Sequence, residues 1–294
     1  MALMARYDEA HPQRTQTIQT LKFLYEASML HLIQQINNFQ WPPLPSSGLV
    51  FIIDKQAVGF IRNSIIPHLP ASVFTMHSDS ITFASSLSTP KLRTTSLHSL
   101  LQDWRTRLAS TNLDFQCLKG WRNEEYGVYT SHGEVLRVER AAQGIFGIRS
   151  YGCHLNGYVV DGQNTIKMWI ARRSYRKQTW PGFLDNIVGG MIVLCRVVSF
   201  SSMTDADVKG GLPAGGRPTA NMIKECAEEA NIPQEIAIQA KPVSSVSYFT
   251  DSSTRGLLPD TEYNYDLQLL HEFIPSPQDG EVEEFFLWYA MPDA

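Results

Sequence analysis

Apolar residues recur at helical spacing in "LKFLYEASMLHLIQQINNF", where Leu21, Leu24, Tyr25, Leu32, Ile33 and Ile36 share one face, and "WPPLPSSG" ends the element. "LVFIIDKQAVGFI" predicts strand, turn, strand. "VFTMHS" with "SITFAS" predicts one hairpin and "VYTSHGEVLRVE" another. Between them "SLHSLLQDWRTRLAS" is amphipathic, with Leu97, Leu100, Leu101, Trp104 and Leu108 on one side. The pattern therefore predicts a flexible polar tail over 1–20 and a small α+β domain over 21–135. Its histidines, His31, His68, His77, His98 and His132, are dispersed and form no catalytic constellation.

From about residue 140 the texture changes. "GCHLNGYVV" and "TIKMWIARRS" are strand-like runs separated by the turn "DGQN". "MIVLCRVVSF", a Gly-rich loop, a helix and strands around "VSSVSYFT", "EYNYDLQLL" and "EEFFLWYAM" follow. Strands with a helix between them predict a mixed α/β layer structure over 136–294.

Composition narrows the partners. The chain has 294 residues, 43% hydrophobic and 18% charged, enough for one large domain or two small ones. A net charge of -4 gives no reason to expect nucleic acid or an anionic membrane. No apolar run approaches the ~18 residues of a membrane helix. The N-terminus has no apolar secretion core, and Asp8 and Glu9 argue against a transit peptide. Cys117, Cys153, Cys195 and Cys226 form no CxxC pair, so reduced thiols in the cytoplasm are the expectation.

The segment "GGLPAGGRPTANMIKECAEEANIP" reads as loop, helix, stop. Pro218 and Thr219 suit a first turn, and Met222, Ile223, Cys226 and Ala230 a buried face. Asn231 suits a left-handed cap, and Pro233 blocks continuation. Glu225, Glu228 and Glu229 then sit at i, i+3 and i+4, within reach of one another. Three clustered carboxylates repel, and Mg²⁺ or Mn²⁺ would relieve them while keeping waters for phosphate. A solvated acidic face is the other reading.

The Gly-rich loop before this helix resembles the Nudix box, G-x5-E-x7-R-E-U-x-E-E-x-G-U with U apolar. Gly210 takes its first position, Glu225, Glu228 and Glu229 its helix glutamates, and Cys226 and Ile232 its apolar positions. Gly216 stands in place of the early Glu, Lys224 of the Arg and Asn231 of the last Gly. "WRNEEYGVY", "KMWIARRSYRKQTWPGFLDNIVGG" and "FIPSPQDGEVEEFFLW" extend the resemblance to a Nudix subfamily related to the N-terminal part of fungal thiamine pyrophosphokinase, with its own N-terminal domain. The resemblance implies a Nudix α/β/α sandwich with a mixed sheet and Mg²⁺-dependent hydrolysis of a diphosphate. Thiamine diphosphate derivatives such as the oxo form are among the implied substrates. An ADP-ribose-type hydrolase and a catalytically silent binding module are the alternatives.

That chemistry assigns Glu225, Glu228 and Glu229 as ligands of Mg²⁺ or Mn²⁺, with Glu225 and Glu229 also catalytic. Glu281, opening a strand in "DGEVEEF", is the expected base, with Glu283 on its side and Glu284 on the other. Arg172, Arg173, Arg176 and Lys177 are candidates for phosphate, and Trp180 offers a ring to an aromatic or cationic group. Arg172 and Arg173 alternate in a strand, so only one should face the site. Lys224 keeps the positive charge of the box Arg without its planar fork.

Relatives in the resembling subfamily run from "LDNIVGG" almost directly into "GLPAG". Here residues 191–209 intervene. Codons for Gly190–Met191 and Lys209–Gly210 admit a donor and an acceptor in one phase, so the segment reads as an insertion from a retained intron. In the resembling subfamily the chain continues beyond the place of "WYAMPDA" into a helix that packs on the Nudix sheet, and without it apolar sheet surface is expected to be exposed.

Overall fold

A computed structural model describes residues 30–31, 33–39, 47–191 and 218–289. Strands β1 (Gly48–Ile53), β2 (Gln56–Arg62), β3 (Phe74–Met76) and β4 (Ser80–Phe83) form a sheet in the order β2-β1-β4-β3. The β1–β2 turn uses Asp54 and Lys55 at φ 49° and 66°, the left-handed pair that a two-residue hairpin requires. Helix α1 (Pro90–Arg107) begins where the Thr89 side chain accepts from the Leu92 N–H and Pro90 fills the first turn. Buried Arg93 in α1 pairs with Asp54 at 2.9 Å, tying the helix to the hairpin turn. Strands β5 (Glu125–Thr130) and β6 (Gly133–Glu139) form the third predicted hairpin.

One apolar core runs from Phe51 through Leu97, Trp104 and Leu136 to Ile148. The expected boundary between residues 135 and 136 therefore falls inside β6, because the hairpin buries Leu136 and Val138 in the first core.

The second sheet holds β7 (Ser150–Val160), β8 (Ile166–Arg173), β9 (Leu184–Asn186), β10 (Val188–Met191), β11 (Lys241–Ser252), β12 (Gly256–Gln268) and β13 (Val282–Tyr289). Its order is β11-β12-β7-β8-β13, with β10 paired to β7 and β9 to β8. The β12–β7 pair is parallel and the others are antiparallel, so the sheet is mixed and the chain is α+β. Helix α2 (Pro218–Ala230) buries Met222, Cys226 and Ala230 against Cys153, Leu155 and Val188. It stops as its residues predict: Asn231 lies at φ 55°, and the Ile232 N–H donates to Cys226 O at 2.9 Å. A four-residue helix α3 (Gln234–Ala237) follows.

Two findings differ from the linear pattern. Residues 36–39, at the end of the first predicted helix, bond to β11 rather than to the first core: Thr250 Oγ1 donates to Ile36 O and the Phe39 N–H to Phe249 O. Met191, the first residue of the expected insertion, closes β10 opposite Gly152. The rest of that segment, with Gly210 and Gly216, lies outside the described residues. Among the described residues no helix is long and apolar enough to cross a membrane.

Candidate active site

Helix α2 positions the glutamates unequally. Glu229, in its last turn, is only 4% exposed. Its Oε2 accepts from the Gly189 N–H at 2.9 Å, where β9 passes into β10. Burial pushes this carboxyl up to about 8; the Gly189 N–H opposes the shift, while Glu225, Glu281 and Asp279 reinforce it. Glu225 is also raised by burial, with Lys224 opposing and Glu228 reinforcing. Glu228 is turned outward instead, its carboxylate 2.5 Å from Lys224 Nζ at the exposed face.

Gly190 lets the helix come this close. A Cβ on Gly190 would lie 2.5 Å from Glu225 Cγ and 2.6 Å from its Cδ. Gly190→Ala should therefore push the Glu225 carboxylate aside. We expect turnover to fall about 10²-fold, the cost of a catalytic group misplaced by about 1 Å. Steady-state assays beside a thermal melt that shows the variant folded would check it.

The opposite wall is basic and already paired. Arg173 sends Nη1 to Asp185 Oδ2 at 2.9 Å and Nη2 to Thr179 O at 3.2 Å. Its Nε is buried with no hydrogen-bond partner among the described residues. Arg173, Asp185, Gly189, Glu229 and Glu281 line one narrow cleft. Arg172 leaves it, bonding Glu284 at 2.9 Å with its guanidinium over the Phe286 ring. Strand alternation sends the two arginines to opposite sides, and Arg173 is the one in the cleft.

Three expected roles meet a different arrangement. Glu281, the expected base, is ion-paired with Lys177. Burial raises its carboxyl, but the Lys177 hydrogen bond and charge outweigh burial and hold it below its usual value. Lys224, expected to meet substrate, spends its charge on Glu228. Trp180 is exposed at φ 54°, edge-on to Phe183, with the Arg255 guanidinium 5.5 Å above its ring.

The tertiary structure adds residues that the sequence did not single out. His154 lies between Asp185 Oδ1 at 3.6 Å and Glu262 Oε2 at 3.5 Å. The register of β7 on β12 and β10 creates this contact, setting His154 opposite both Asn264 and Gly189. The alternation of Asp260, Glu262 and Asp266 along β12 was the one linear signal of an acidic sheet face.

Among the described residues no three His, Cys, Asp or Glu side chains converge as a ready metal site, because Glu228 is turned to Lys224. The chemistry of the donors still fits a hard cation. Among the described residues only a backbone N–H faces the Glu229 charge, Glu225 stands beside it, and both are pushed toward protonation by burial. A divalent cation would remove that penalty.

Comparison with known proteins bears on this geometry. A family model described as a domain of unknown function (DUF4743) matches residues 28–150. A protein of Arabidopsis thaliana, Nudix hydrolase 20, chloroplastic, is 36% identical over 248 residues, covering 81% of this chain and 59% of the relative. Nudix hydrolase 24, chloroplastic, of the same plant is 33% identical over 244 residues, covering 81% and 58%. Two relatives are thus Nudix hydrolases. The chain spans less than two thirds of their length. An Ap4A hydrolase structure from C. elegans shares 15% identity at a TM-score of 0.32, covering 48% of this chain and 80% of that one.

Proposed function

We propose that this chain is a Nudix-type hydrolase that cleaves a diphosphate linkage in the cleft between α2 and the β9–β10 corner. One observation carries the reading: a buried Glu229 carboxyl group beside Glu225 shares one cleft with Arg173 and Glu281, and Glu281 is ion-paired with Lys177. Glu225 and Glu229, joined by Glu228 once Lys224 releases it, would hold Mg²⁺ or Mn²⁺, which when bound would neutralise diphosphate charge and polarise the phosphorus under attack.

The chain's own residues do the rest. Arg173, fixed by Asp185 and Thr179 at the cleft, lends its guanidinium charge to a phosphate oxygen. Lys177 is the movable cation. A diphosphate that draws its ammonium away frees Glu281, which then takes the proton of the attacking water. The water oxygen bonds to phosphorus, the bridging P–O bond breaks and the leaving phosphate departs. Electrostatic positioning of this kind supplies most of the acceleration in phosphoryl transfer.

For the substrate we propose thiamine diphosphate derivatives, the oxo form going to its monophosphate. The sequence resemblance supports this choice. The test is phosphate release with Mg²⁺ or Mn²⁺ from oxo-thiamine diphosphate, thiamine diphosphate and ADP-ribose, the last followed by chromatography of its products. We expect highest kcat/KM on the oxo form. Preference for ADP-ribose would overturn the substrate assignment, and no turnover of any of them would leave a binding module.

A further inference from the structure

A second concavity lies away from the cleft, at the seam between the two sheets. It encloses about 390 Å³, lined by Gln56–Phe60 of β2, Gly127–Ser131 of β5 and its turn, Gly147–Arg149, and residues of β7, β11 and β12. That volume is within the range of small-molecule sites, which favour seams between structural units. We propose that this cavity is a second binding site and that it takes a small aromatic anion.

The lining specifies the class. Tyr129 and Tyr151 supply aromatic surface, while the buried Phe60 ring and the Phe249 ring pack on Phe39 at 5.8 and 4.1 Å. Tyr151 is held by Tyr263, its ring stacked at 6.4 Å and an interplanar angle of 16°, so that wall is set before a ligand arrives. Among the described lining residues Arg149 is the one ionised side chain. It donates from Nη1 to the neutral Thr261 hydroxyl at 3.2 Å and makes no ion pair within 4.0 Å among the described residues. Asp260, the acid within its electrostatic reach, is already engaged by the Ser150 hydroxyl. A guanidinium with donors to spare beside aromatic walls recognises a planar ring bearing a carboxylate or phosphate. Among the described residues no acidic side chain lines the space, which disfavours cations there.

β2 and β5 also leave edges here. β2 ends its sheet with its Phe60 N–H already given to Phe146 O at 2.9 Å, β5 pairs with β6 alone among the described residues, and the Ser131 N–H donates to Gln56 Oε1 at 3.0 Å. Their backbone amides and carbonyls add directional partners for a ring substituent.

The site is independent of the proposed hydrolysis, and the test keeps the two apart. The full chain is titrated calorimetrically with 1-naphthoate and with the neutral 1-naphthalenemethanol, in the parent, Arg149→Gln, Tyr151→Leu and Glu229→Gln. We expect one naphthoate per chain, about 10-fold or more weaker binding of the alcohol, and a similar loss in Arg149→Gln. Tyr151→Leu should weaken both ligands, and Glu229→Gln should bind naphthoate like the parent. Absence of binding to the parent, equal affinity for acid and alcohol, or loss in Glu229→Gln would overturn the proposal. If Arg149→Gln fails to fold, the acid–alcohol comparison on the parent decides.

Discussion

Glu229→Gln should lower turnover by about 10³-fold while making the metal-free protein more stable above pH 8. The first effect follows from removing a carboxylate that would bind the cation, where several kcal/mol of transition-state stabilisation reside. The second follows from burial. The folded state raises this carboxyl from 4.5 to about 8, so the folded protein holds a proton that the unfolded chain releases. Stability from the neutral carboxyl is therefore full below the unfolded value of 4.5, declines as pH rises, and is lost above the folded value of about 8. Gln imitates the neutral acid at every pH. The variant should match the parent near pH 4 and exceed it near pH 9 by about 3–5 kcal/mol. Mg²⁺ should then raise the parent's melting midpoint at pH 9 and leave the variant's unchanged. Thermal melts across pH, with and without Mg²⁺, check this. A variant less stable than the parent at pH 9 would contradict the uncompensated burial of Glu229.

Arg173→Gln should cost both function and stability, in proportions that a second substitution separates. The side chain joins β8 to Asp185 of β9 and to Thr179 of the intervening loop. Removing it strands Asp185 beside His154 and Glu262, and a largely buried pair broken from one side costs about 2–4 kcal/mol. Loss of its donors to the diphosphate should lower kcat/KM about 10²-fold. Adding Asp185→Asn removes the stranded charge, so the double variant should regain most of the melting midpoint but little of the activity. Activity recovering in step with stability would show that Arg173 only holds the loop.

What the sequence determined by itself was local. The alternation in "LVFIIDKQAVGFI" and in "TIKMWIARRS" carries strand identity because side chains alternate across a sheet wherever it lies. Helix α2 was legible to its last residue, since proline entry, apolar stripe and left-handed Asn231 stop are encoded within the segment. The spacing of Glu225, Glu228 and Glu229 was legible for the same reason. That Glu229 is buried and Glu228 exposed was not, because it depends on which strand the helix meets and on two glycines about 35–40 residues upstream. Strand alternation could say that one of Arg172 and Arg173 faces the site; only Asp185 on β9 and Glu284 on β13 decided which. The ion pair that occupies Glu281 joins residues 104 apart, and His154 meets Glu262 through a parallel pairing 108 residues apart. Local pattern fixes backbone conformation through forces that act within a few residues. The protonation and pairing of these carboxylates are set by burial and by charges across the sheet, which exist only once the chain has folded.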